Sequence, residues 1–122
     1  MPIGMDMNAK LLLSSVLLIV ATTSVAETVF VSLEKDNAIA VVDPIAGKLI
    51  KTINIGQRPR GIKISPDGQS LYIATSDDDM VLELDANTLA VKSKLPSGED
   101  PETFAINSLG TRMYVSNEDD NQ

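Results

Sequence analysis

Apolar and polar residues alternate along most of this chain in short runs, each too brief for a helix. Gly61-Ile62-Lys63-Ile64-Ser65 alternates strictly, which predicts a strand with one buried face, and Pro66-Asp67-Gly68 closes it with a tight turn. Leu71-Tyr72-Ile73-Ala74-Thr75 is a more continuous apolar run, the pattern of a strand covered on both faces. A polar turn from Ser76 to Asp79 leads to Val81-Leu82-Glu83-Leu84, which Asp85 ends. After Ala86-Asn87-Thr88 a more polar strand is predicted from Leu89 to Leu95, followed by the loop Ser97-Gly98-Glu99-Asp100-Pro101. Amphipathic helical periodicity is missing from residue 27 onward.

This pattern repeats. Phe30, Tyr72 and Tyr114 stand 42 residues apart. The same offset carries Asp36 to Asp78 and Asp120, Asp43 to Asp85, Gly56 to Gly98, Pro59 to Pro101 and Gly68 to Gly110, without a gap. Four short strands in ~40 residues, with turn chemistry at fixed offsets, predict an all-β chain of β-propeller blades, each a four-stranded antiparallel sheet. A β-sandwich also turns roughly every 8–12 residues, but nothing requires its turn residues to recur at a constant offset. The phase of the repeat divides the chain into a blade lacking its inner strand (29–56), a full blade (61–95) and the start of a next one (103–122). Closed propellers use roughly 4–8 blades and residues 27–122 supply ~2.3, so the expectation is an incomplete ring, the N-terminal fragment of a longer propeller. Assembly of several short chains into one ring is the alternative. One unit departs from the pattern: Thr103 to Gly110 lacks the Pro-Asp-Gly turn.

The first 26 residues follow a different rule. Lys10 precedes an apolar run from Leu11 to Val20, and small residues at Ser24 and Ala26 precede Glu27. That is the order of a secretory signal peptide, with Met7 as the start that gives the most compact basic region. The run is about half the ~20 residues a membrane span needs, so no span is expected after cleavage.

Charge and missing residue types narrow the function. The 122 residues carry a net charge of −7, with no Cys, His or Trp. The acidity lies toward the end: 27–70 holds 6 basic and 5 acidic residues, 71–122 holds 3 and 11. An acidic exported chain without a basic patch is a poor partner for nucleic acid. Without Cys or His there is no disulfide, no Cys-based metal cluster, no Ser-His-Asp or Cys-His triad and no usual axial haem ligand. Asp77-Asp78-Asp79 and Glu118-Asp119-Asp120-Asn121 lack the alternating donors, Gly and later Glu of a calcium loop, and read as turns. Asp43 and Asp85 end strands of different blades, where they are expected to cap turns; Tyr72 and Tyr114 are expected to pack between blades. The loops Gly56 to Gly61 and Gly98 to Glu102, which join successive blades, flank the central channel of a propeller. There Arg58 and Arg60 are candidates for holding a carboxylate or carboxylated cofactor, with Glu102 at the repeat position of Arg60, against the plainer reading of solvated turns.

Longer strings narrow the fold further. Val29-Phe30-Val31-Ser32, Ile39-Ala40-Val41-Val42-Asp43, Lys51 to Gly56 and Ser65-Pro66-Asp67-Gly68 resemble the YVTN-type β-propeller repeat. Glu34-Lys35-Asp36-Asn37, Gly56-Gln57-Arg58-Pro59-Arg60-Gly61, Ser76 to Asp79, Leu95 to Glu102 and Ser116 to Asn121 resemble the start of β-propeller proteins associated with PQQ-dependent catabolism. The resemblance implies a periplasmic propeller that accompanies quinoprotein alcohol oxidation without a catalytic role or cofactor of its own. Its implied partners are a periplasmic quinoprotein dehydrogenase or the cytochrome and transport proteins around it. The alternative is the N-terminal part of an enzyme propeller, a lactonase-like hydrolase or haem-type reductase domain, with active residues in other blades.

Overall fold

A computed structural model describes residues 27–118. The expected signal peptide at 1–26, its start at Met7, and the acidic residues after Glu118 lie outside the described residues. Among the described residues, nine strands form three antiparallel sheets. The first contains β1 (Val29–Leu33), β2 (Ala38–Asp43) and β3 (Lys48–Asn54). The second contains β4 (Pro59–Ile64), β5 (Ser70–Thr75), β6 (Met80–Asp85) and β7 (Val91–Pro96). The third contains β8 (Pro101–Ile106) and β9 (Met113–Asn117). Strands lie in chain order within each sheet. No described helix is long and apolar enough to cross a membrane.

Strand periodicity explains how the sheets stack. In β5 and β6, Leu71, Ile73, Leu82 and Leu84 face the first sheet, where they meet Ile39 and Val41 in one apolar cluster. Their neighbours Tyr72, Ala74 and Val81 face the opposite way and pack with Phe104, Ile106, Met113 and Val115 of the third sheet. The second sheet is therefore apolar on both faces, as the continuous run at Leu71–Thr75 predicts. A two-sheet sandwich buries one face of each sheet, whereas successive blades of a propeller bury both. The chain consists of β-propeller blades, and its described sheets do not close a ring. The outer strands β3 and β7 stay largely exposed, in keeping with their more polar composition.

The 42-residue offset extends to irregularities. Register shifts fall between Val41 and Val42 against β3 and between Glu83 and Leu84 against β7, 42 residues apart. Others follow Pro59 in β4 and Pro101 in β8. Asp43 Oδ1 accepts the Ile45 and Ala46 N–H groups at 2.9 Å, and Asp85 Oδ1 accepts those of Asn87 (2.9 Å) and Thr88 (2.8 Å). Both aspartates thus cap the turns they precede.

Two local expectations change. The inner strands begin at Pro59 and Pro101, so Arg60 and Glu102 belong to strands and not to loops. Leu89 belongs to a turn: its φ is +62°, its N–H donates to Asp85 O at 2.8 Å, and the strand starts at Val91. Leu89 is nonetheless buried at 7% exposure, because the turn folds it back onto the first core cluster. Tyr114, at the repeat position of Tyr72, lies on the face of the third sheet opposite Met113 and Val115, where no further sheet is described, and is 63% exposed there. The unit without Pro-Asp-Gly keeps its turn by other means. Asn107 Oδ1 accepts the Thr111 and Arg112 N–H groups at 2.8 and 2.9 Å, and Gly110 takes φ +68° where Gly68 has +73°.

Candidate functional site

The turns after the second strand of each blade and the loops between blades share one end of the stacked sheets. Two one-turn 3-10 helices, Glu34–Asp36 and Ser76–Asp78, end in left-handed residues, Asn37 (φ 53°) and Asp79 (φ 55°), again 42 apart. Short polar side chains tolerate this conformation. Each uses its side chain to reach the next inter-blade loop. Asn37 Oδ1 accepts the Arg58 N–H at 2.8 Å, and Asp79 Oδ1 accepts the Asp100 N–H at 3.0 Å. The Ser76 and Glu118 N–H groups then donate to the Arg58 and Asp100 carbonyls, both at 3.1 Å. Positions 58 and 100 are thereby held with positive φ, 54° and 45°, despite carrying full side chains.

Those locks assemble a charged rim. Arg58 Nε donates to Glu34 at 3.0 Å, and its Nη1 lies 3.4 Å from Asp77 and 3.5 Å from Asp100. Arg60 pairs with Glu102 at 2.8 Å and Glu118 at 2.7 Å, with Asp100 at 3.9 Å. Two guanidinium groups thus stand among five carboxylates drawn from all three sheets. The Glu118 hydrogen bond is the main cause that raises the Arg60 pKa; the reciprocal contact holds the Glu118 carboxyl below the usual glutamate range. Asp100 Oδ1 is buried without a hydrogen-bond partner and is held between the two arginines by charge alone.

The structure brings Arg58, Arg60 and Glu102 together. Glu102, at the repeat position of Arg60, lies on the adjacent inner strand and binds it directly. The carboxylates that hold the arginines belong to the chain itself, so an incoming carboxylate has to compete with them. Asp77 and Glu118, read from sequence as turn residues, are ion-pair partners here, and Asp78 Oδ2 accepts the Gln57 N–H at 2.5 Å. Sequence reasoning missed Glu34 and Asp100 as rim members. The signal was available in the offset, since Asp100 is the repeat partner of Arg58. Among the described residues, no group of three or more acidic side chains is arranged to hold a metal ion.

Known structures share this architecture. Hydrazine synthase from Kuenenia stuttgartiensis matches with a TM-score of 0.68 at 23% identity, over 74% of this chain and 26% of that one. The dihydro-heme d1 dehydrogenase NirN, solved in complex with DHE, matches with a TM-score of 0.64 at 24% identity, over 75% and 20%. A functionally unknown protein from Desulfotomaculum acetoxidans DSM 771 matches with a TM-score of 0.64 at 19% identity, over 76% and 32%. The chain spans between a fifth and a third of the length of these proteins. At such identities the likeness establishes the β-propeller fold alone. No protein-family model and no curated protein matches the sequence.

Proposed function

We propose that this chain is a non-catalytic binding or scaffold segment of an exported, periplasmic β-propeller that accompanies PQQ-dependent alcohol oxidation. Its partners are a quinoprotein dehydrogenase or the cytochrome and transport proteins that serve it. One observation supports the scaffold reading: the charged side chains of the rim tie neighbouring sheets to one another. The quinoprotein association rests on the sequence strings around Gly56–Gly61 and Leu95–Glu102. Passing a PQQ-loaded alcohol dehydrogenase, and separately its cytochrome, over the immobilised chain tests this reading. Saturable binding of either protein is the expected result, and binding of neither overturns it. A parallel spectral titration with free pyrroloquinoline quinone should show no uptake by the chain itself.

A second reading makes the chain part of an enzyme propeller, either a lactonase-like hydrolase or a haem-type reductase domain. The likeness to NirN, described as a dihydro-heme d1 dehydrogenase, favours the haem version. With no His or Cys in the sequence, the usual axial ligands would have to come from elsewhere. A shift of the Soret band on adding haem to this chain would favour the second reading over the first.

A further inference from the structure

The grooves between neighbouring sheets differ in chemistry, although the repeat builds equivalent backbone around both. Between the first and second sheets lies a groove of about 320 Å³ with Phe30 and Val41 in its wall. The 42-residue offset replaces Phe30 by Tyr72, Val41 by Glu83, Ile50 by Lys92 and Lys51 by Ser93. The groove between the second and third sheets, about 480 Å³, is correspondingly polar.

A strand irregularity concentrates this polarity. Glu83 pairs with Ser93 and Leu84 with Val91, which leaves Lys92 as the extra residue of a bulge. A bulge can turn two successive side chains toward one partner, and both reach Glu83. The Ser70 hydroxyl donates to Glu83 Oε1 at 2.7 Å and the Ser93 hydroxyl to Oε2 at 2.6 Å. Lys92 Nζ lies 3.3 Å from Glu83 Oε1 and donates to Ser70 Oγ at 2.9 Å. The Ser93 and Ser70 hydrogen bonds hold the Glu83 carboxyl below its usual range, so the carboxylate is fixed and ionised.

Placing an ion pair on a sheet face that elsewhere packs as core is costly compared with the apolar residues used one repeat earlier. What remains unspent points outward. The Lys92 ammonium has three donors and its side chain is 44% exposed. On the same wall, in the turn between β4 and β5, Asp67 has committed Oδ1 to Ser65 and to the Gln69 N–H, leaving its other oxygen as an acceptor. The Tyr72 hydroxyl adds a group that both donates and accepts. The concavity falls in the size range of small-molecule sites.

We infer that the groove between the second and third sheets binds a neutral polyhydroxylated molecule, a small sugar or polyol. Each hydroxyl of such a ligand donates to a carboxylate and accepts from Lys92 or Tyr72, so interleaved donors and acceptors recognise it better than they would a single charge. This site is separate from the rim and does not rest on the quinoprotein reading. The test is an NMR titration of the isotope-labelled full chain with D-glucose, and with glycine as a zwitterionic comparator. Saturable amide shifts confined to residues 65–72, 83, 92 and 108–110, with a Kd of about millimolar, are expected for a ligand of this size. The variant carrying Glu83→Val and Lys92→Ile, the residues of the preceding repeat, should weaken binding at least about tenfold while keeping a dispersed spectrum. Should that variant not fold, Lys92→Gln decides by the same criterion. Absence of saturable shifts with glucose, preference for glycine, or undiminished binding by the variants overturns the inference.

Discussion

Replacing Gly61 with alanine places a methyl group where the inner strands of two blades come closest. A Cβ at this position would lie 2.8 Å from the Glu102 carbonyl oxygen and 2.9 Å from Thr103 Cα. Both are backbone atoms of β8, so no side chain can swing aside. Ordinary van der Waals contact starts near 3.4 Å, which requires β8 to retreat by roughly half an ångström if β4 stays fixed. That movement drags Phe104, 3% exposed and packed on Ala74 and Val81. Overpacking of this kind costs about 1–3 kcal/mol, and the upper half of that range is expected because the displaced strand carries the main anchor of the second core cluster. Gly68→Ala is the control. Gly68 has φ +73° and open space around its Cα, so its alanine variant loses only the cost of the left-handed conformation, about 1 kcal/mol. Urea unfolding of both variants, followed by far-UV circular dichroism, compares them directly. A Gly61→Ala loss no larger than that of Gly68→Ala would refute the close approach of the inner strands.

Other consequences follow from the repeat and its locks. Asp79→Ala removes the acceptor for the Asp100 N–H and strains a left-handed position, so it should cost about 1–2 kcal/mol by urea unfolding; Asp79→Asn, the residue used one repeat earlier, should be close to neutral. Leu84→Ala, at a fully buried position in the larger cluster, should cost about 2–5 kcal/mol, whereas Leu49→Ala on the exposed outer strand should fall within about 0.5 kcal/mol of the parent. Glu83 binds its proton less readily folded than unfolded, so its stabilisation is complete above the ordinary glutamate range and is lost as pH falls through that range toward the folded value. Thermal unfolding between about pH 6 and 3 should therefore show a shallower acid-side decline in Glu83→Gln than in the parent. Substituting Arg58 and Arg60 by alanine together should reduce the dependence of melting temperature on sodium chloride, since these pairs lie near the surface where salt screens them.

Much of the fold was legible because propeller blades write their geometry locally. Gly68 and Gly110 mark turns that need positive φ, Asp43 and Asp85 cap turns within three residues, and β5 is apolar on both faces because it is sandwiched. Leu89 was misplaced because an apolar residue after Thr88 continues a strand pattern; only the observed turn shows it folding back into the core. The rim was legible in part. Arg58, Arg60 and Glu102 stood out by position and charge, but Glu34, Asp100 and Glu118 lie between 24 and 58 residues from the arginines they help to pair. No local pattern signals such distant partners.

The amino-acid sequence by itself determined the strand and turn order, the 42-residue period and the propeller fold, because backbone conformation and face alternation follow from residues a few positions apart. The tertiary structure decided which charges meet and which groove is polar. Ion pairs form or fail within about 4 Å, and the bulge that turns Lys92 toward Glu83 exists only once β6 and β7 have paired. Equivalent positions in the repeat share a backbone, and the neighbouring blade determines what each side chain does.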